Sequence, residues 1–571
     1  MFQRISAGAL VPLVAALSML AACSRAEKND AAAAAGSHAH YPPAGPDKPN
    51  ADGQVAPRLQ NLGAYTFPVS TKNEDAQKFV NQGLNLSYAF NHAESGRAFR
   101  EAARLDPNLA MADWGQALVL GPNINAAMEP TDESPAYEAI HKAVALKSGA
   151  TSKEAGLIDA LAARYSGKAE DRVARDRAYS DAMKKVTEQF PDDLDVQVLY
   201  VESVMDLRPW GYWMRDGAPH EGVADAVARI ERVLARKDDH PGALHLYIHL
   251  MEAVSPRKAE AVADRLLPLM PAAGHIVHMP SHIYQRVGRY ADSIKSNELA
   301  IAADEDYITQ CRAQGLYPMG YYPHNLHFLW FSAAFDGQGA KAVDAARKTA
   351  SKVDDATLKQ MPMLAAFRVV PYYALTRFGR WDEMLKEPPP PQGNAFLSGI
   401  YRYARGIALA ARGRIAEAER ELTVINTFLA DKSLDAPLFS PNSGRSVLAI
   451  APEMLVGEIA LARKQYDAAI SRFERAVRLE DGLVYTEPSE WHYPPRHALG
   501  AALLAAGRPE EAETVYWEDL RRNPENGWSL FGVVQALRAQ KKTELADIVE
   551  ARRKKVWARA DAELSDSRAA K

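Results

Sequence analysis

The stretch NQGLNLSYAFNHAESGRAFREAARLDP, Asn81 to Pro107, decides the fold. Measured from Gly83, Ser95, Phe99, Ala102 and Pro107 fall at offsets of 12, 16, 19 and 24. Small residues at such places let two antiparallel helices approach closely, and an aromatic ring fills the space between them. The proline ends the second helix, because it has no N–H with which to continue the hydrogen-bond ladder. The same ladder returns at Gly457, Ala469, Phe473 and Ala476, and at Gly500, Gly507, Ala512, Tyr516 and Pro524. Fainter copies stand at Gly406, Gly413, Ala418 and Leu422, and at Ser281, Gly288, Ser293 and Ala300.

In these residues the chain resembles the tetratricopeptide-repeat superfamily from about Tyr65 to the C-terminus; the family's unit is a helix pair of ~34 residues. The resemblance implies an all-α fold over 65–571, a right-handed superhelical solenoid of helix pairs that stack because no pair buries its apolar face alone. It also implies a concave wall, lined by the first helix of each pair, where the superfamily usually binds a protein or peptide. A fold by itself names no activity. The C-terminal RRKKVWARADAELSDSRAAK reads as a solvated capping helix with a frayed end. Three insertions, near 121–135, 207–220 and 305–323, are longer than a repeat turn requires, and long ordered loops are often functional. They are expected to fold over the wall as a partial lid with Trp210, Tyr212 and Trp213 as its apolar part; packing on the solenoid's edge is the alternative.

The chain has 571 residues and a formal net charge of -4, so no basic field favours nucleic acid as a partner. Its first residues, MFQRISAGALVPLVAALSMLAAC, combine Arg4, an apolar run and small residues before Cys23, the pattern of an export signal. The ending Leu20–Cys23 resembles a bacterial lipobox, which implies cleavage after residue 22 and lipidation of Cys23. That resemblance places the protein in the cell envelope, as an outer-membrane lipoprotein facing the periplasm or the exterior. Residues 24–64 read as a disordered tether, rich in Ala, Pro, Gly, Asp and Asn and without apolar periodicity. With two cysteines, one of them the expected lipid site, no intramolecular disulfide is available and core burial must supply the stability.

Eight of the 15 histidines lie between His240 and His327, far more than an even spread would place there. His245 and His249 are four residues apart, as are His278 and His282, and such spacing puts each pair on one helical face. Both pairs are also offset from one another by 33 residues, one repeat period, so His245 should stand beside His278 and His249 beside His282. His275 joins the same face, and His324 and His327 open the following helix. Aligning VLYVESVMDL on HLYIHLMEAV puts Glu202 where His249 falls, and Glu252 follows directly. Pro280 lies inside this run. Either it interrupts a helix beginning near Ile276, or it starts one and leaves His275 and His278 in a loop.

Two functions follow. The preferred one is a scaffold whose groove presents these histidines as a polar patch to a protein, a peptide or a small polar ligand. The rival is a metal site or metal-dependent enzyme. There His245, His249, His278 and His282 would hold a first-row transition metal such as Zn or Cu, with Glu202 or Glu252 as ligand or general base. No standard catalytic signature is present: HEGVA at His220 lacks the second histidine of HExxH, and GQGAK at Gly337 is not a phosphate loop.

Overall fold

The computed structural model describes residue 49 and residues 53–570, apart from 312, 314, 439 and 440. Helices follow one another along the described residues, with only isolated β-bridges between them. Among those residues no helix is long and apolar enough to cross a membrane. The expected export signal, Cys23 and most of the expected tether lie outside the described residues.

The sequence ladder is a packing rule. In the first pair, Glu74–Tyr88 and His92–Leu105, Phe99 is fully buried, and a Cβ built on Gly83 would stand 2.8 Å from its ring. A Cβ on Gly115, in the next helix Ala110–Leu120, would stand 2.2 Å away, so one phenylalanine plugs two successive contacts. Ser95 Oγ donates to the Gly83 carbonyl at 2.6 Å and fixes the register. The arrangement recurs with Gly457 against Phe473, and with Gly500 and Gly532 on either side of Tyr516. Asn73, Asn91 and Asn526 cap three of these helices by accepting backbone N–H groups of the first turn.

Pro280 lies within a helical run. Gly274–His278 passes through Met279, which keeps helical angles, into Pro280–Val287, and His282 N–H donates to the Met279 carbonyl three residues back. The proline removes one rung, and the chain tightens locally rather than leaving the helix. His275 and His278 are therefore helical. Gly288, at φ 84, ends the run in the left-handed region that favours glycine.

Three expectations require correction. The tether does not extend to residue 64: Val55 N–H donates to Glu101, Arg97 and Gln82 donate to the Val55 and Pro57 carbonyls, and Ala56 and Leu62 are buried. The C-terminal end is not a frayed, solvated tail. Past the last helix, Thr543–Val556, Ser567 bonds the His497 carbonyl and the Tyr516 hydroxyl, Arg377 donates to the Ser567 and Arg568 carbonyls, and Arg568 pairs with Glu458. The insertion expected over 305–323 is mostly helical, because Tyr290–Cys311 continues well into it and a π-helical turn, Tyr317–Tyr321, leads into Tyr322–Phe335.

Two apolar cores run along the chain, one from Ala56 to Tyr321 and the other from Tyr290 to Ala570. The histidine-rich helices lie at their seam.

Candidate metal centre

Helix Pro241–Met251 carries His245 and His249 on one face, and beyond the short helix Glu260–Leu266 the run from Gly274 to Val287 carries His275, His278 and His282. All five are buried, none more than 2% exposed, as is Glu252 at the end of the first helix. Their rings converge. His249 lies 5.5 Å from His282 between ring centres, as the 33-residue offset requires. His245, however, meets His275, at 5.0 Å, and not His278. The single-period alignment assumed two straight helices, whereas the second run is interrupted at Pro280.

Partners fix the tautomers of the rings. His245 Nδ1 lies 2.6 Å from the Tyr88 carbonyl, which only accepts, so this nitrogen carries the proton and Nε2 carries the lone pair. His249 Nδ1 lies 3.1 Å from Glu252 Oε1 and donates to it. The two Nε2 atoms then face each other 3.1 Å apart. His275 stands beside both, with its backbone N–H on the Tyr317 hydroxyl and neither ring nitrogen hydrogen-bonded. One nitrogen from each of the three rings falls within a 4.8 Å group. Burial, reinforced by the neighbouring imidazoles, pushes the basicity of His245, His249 and His275 well below the ordinary histidine range. All three are neutral.

A second group lies alongside. His278 Nδ1 donates to Asn297 Oδ1 at 2.7 Å, the amide being oriented by its own bond to the Ser293 carbonyl. His282 Nδ1 donates to Glu252 Oε2 at 2.6 Å and also contacts Glu487. Their Nε2 atoms face each other at 2.9 Å. His324, partly buried in the first turn of Tyr322–Phe335, completes a second group of three within 4.8 Å. Burial opposes charge on His282, but the carboxylates of Glu487 and Glu252 outweigh it and lift the ring to about 10. Burial and the nearby Glu252 raise Glu487 to about 8.

Other expected site residues lie elsewhere. His327 stacks on Trp330 at 5.2 Å and packs against Phe367, outside both groups. Glu202 lines a separate small polar cavity with Ser87, His92, Arg164, Ser203 and Asp206. There burial and Asp206 push its carboxyl up to about 8. Of the lid residues, Trp210 sets its ring edge on His249 at 5.1 Å, Trp213 Nε1 donates to the Leu250 carbonyl and Tyr212 is buried. Segment 207–220 thus does pack beside the cluster. Its Arg215 also reaches the Gly482 carbonyl, in the long connection before helix Pro495–Ala505. That connection delivers Glu487, which sequence reasoning missed. Its excess length and its aromatic residues, Tyr485, Trp491 and Tyr493, were the available signal.

The sequence profile of the tetratricopeptide repeat matches residues 400–422 and 494–516, and the second segment holds the Gly500–Tyr516 plug seen in the packing. Over these two segments the chain carries the tetratricopeptide repeat. No curated protein matches the chain. Among solved structures it is similar to the human IFIT1 dimer with m7Gppp-AAAA, at 12% identity over 79% of this chain and 90% of that one, with a TM-score of 0.30. It is likewise similar to a chain of the APC/C hetero-tetramer Cut9-Hcn1, at 13% identity over 85% of this chain and 74% of that one, with a TM-score of 0.27. Superpositions this loose carry no argument about the site. Its histidines must be read from their own geometry.

Proposed function

We propose that this repeat scaffold binds a first-row transition metal, held by His245, His249 and His275. One observation carries the reading: His275 is buried with both ring nitrogens unbonded, beside two Nε2 lone pairs that face each other. A buried polar group without a partner costs about 1–3 kcal/mol. A single proton between His245 and His249 would relieve those two lone pairs and leave His275 as it is. A cation satisfies all three. Around a tetrahedral ion with Zn–N of about 2.0–2.1 Å, ligand nitrogens stand ~3.3 Å apart, which is close to the 3.1 Å found. The Tyr88 carbonyl and Glu252 supply the outer hydrogen bonds that orient metal-binding imidazoles. Neutral imidazole favours zinc or copper over calcium or magnesium.

This reading displaces the expected polar patch for a protein or peptide, because rings so deeply buried offer no surface to a macromolecule. The test is metal content of the untagged mature chain after dialysis against zinc or copper. Bound metal that His249→Ala removes supports the proposal; wild type and variant equally free of metal after reconstitution end it. The location proposed for this centre is the cell envelope, reached through lipid on Cys23. Metabolic labelling with a radioactive fatty acid tests that part: label on the wild type and none on Cys23→Ala is expected, and an unlabelled wild type refutes it.

A further inference from the structure

From the way the histidine groups are built, we infer that His278, His282 and His324 form a second metal site, beside the one proposed above and extending that reading. The two groups repeat one construction. Each has a pair at i and i+4 whose Nε2 atoms face each other, at 3.1 Å for His245 and His249 and 2.9 Å for His278 and His282. In each pair both Nδ1 atoms are committed outward: to the Tyr88 carbonyl and Glu252 in the first, and to Asn297 and Glu252 with Glu487 in the second. Each pair then gains a third imidazole from the first turn of the next helix but one, His275 for one and His324 for the other.

Each trio also has its own phenylalanine wall. Phe90 lies 4.4, 6.2 and 5.5 Å from His245, His249 and His275, and Phe328 lies 4.6, 4.6 and 4.8 Å from His278, His282 and His324. In the metal-free protein the proton that Glu252 and Glu487 favour on His282 lies between the facing Nε2 atoms, and an ion would displace it to solvent; that proton explains the pair and not the third ring. Three nitrogens within 4.8 Å of one another are what a coordinated cation requires. Glu252 joins the groups, with one oxygen on His249 and the other on His282, so it orients a ligand of each ion at once. The two sites are neighbours, since His275 and His278 are 5.8 Å apart between ring centres.

The experiment strips the untagged full-length chain with a chelator, dialyses it against zinc(II) alone, and counts zinc per chain by mass spectrometry. Two ions are expected for wild type, one for His275→Leu, one for His324→Ala and none for the double variant. His324 is only partly buried, and His324→Gln gives a second variant with little packing change. Circular dichroism confirms that each variant is folded. Substitution with cobalt(II) repeats the count optically, the visible absorption rising until two equivalents are added. One ion in wild type, lost in His275→Leu and kept in His324→Ala, overturns the second site while the first stands. One ion lost in His324→Ala and kept in His275→Leu upholds the second site and refutes the first. No zinc in any form refutes both.

Discussion

Replacing His275 by leucine should make the metal-free protein more stable and the metal-loaded protein less so. Leucine is close to histidine in volume, and its neighbours include Phe90 and Tyr321 as well as the other imidazoles. The substitution removes two buried nitrogens that have no hydrogen bond, one of which carries a proton. Relief of such groups is worth about 1–3 kcal/mol. Imperfect repacking of a similar volume takes back up to ~1.5 kcal/mol, so a net gain of about 1 kcal/mol is expected. With free zinc at one hundred times Kd, an ion bound only by the native state contributes about 2.7 kcal/mol, and the variant lacks that contribution at this site. The order of stabilities therefore reverses on adding zinc. A long repeat array does not unfold in one step, so the fitting assay is hydrogen exchange followed on peptides covering 274–287, in chelator and in zinc. If His275→Leu speeds exchange in chelator as a core deletion would, and zinc protects both proteins equally, His275 is ordinary packing and the metal argument fails.

Two further outcomes test the fold. Gly115→Ala places a methyl group 2.2 Å from the ring of Phe99 and should destabilise the N-terminal repeats by about 1–3 kcal/mol. Combining it with Phe99→Leu should cost less than the sum of the single changes, measured as thermal shifts, and strict additivity would show that the ring is not the obstacle. Asp304, held by Tyr317 and Asn325 but deeply buried, has its carboxyl raised by burial to about 7. The folded state thus holds a proton that the unfolded chain releases near pH 4, and stability falls as pH rises from about 4 to 7, by up to about 4 kcal/mol, then levels off. Asp304→Asn should melt higher than wild type at pH 8 and not at pH 4. An equal difference at both pH values would contradict the assignment.

The repeat was legible because its determinants are local: Gly83, Ser95 and Phe99 lie within 17 residues, and the fold is the contact they make. The convergence of His249 on His282 was legible for the same reason, since one repeat period carries a residue onto its neighbour's face. What was hidden depends on distant or irregular parts of the chain. His275 takes the place allotted to His278 because the helical run tightens at Pro280 instead of continuing as a regular α-helix. Glu487 arrives on a connection more than 200 residues downstream of His282. Glu202 aligns with His249 in sequence, yet it lines the cavity of Arg164 and Asp206. Depth of burial was equally invisible, since Phe90, Trp210 and Phe328 cover the imidazoles from three separate segments.

The anchoring of the last residues bears on how the protein is handled at the bench. Ala570 N–H donates to the Arg377 carbonyl, Ala570 itself is buried, and Arg377 in turn lies over the Trp528 ring. A purification handle or fluorescent fusion placed next to Ala570 would therefore pull on a segment seated against the last repeats. A polyhistidine handle there would also compete for any ion in the metal counts. Labels belong on exposed positions such as Gly149, where nothing lies within 4 Å of an added Cβ and the backbone is not left-handed.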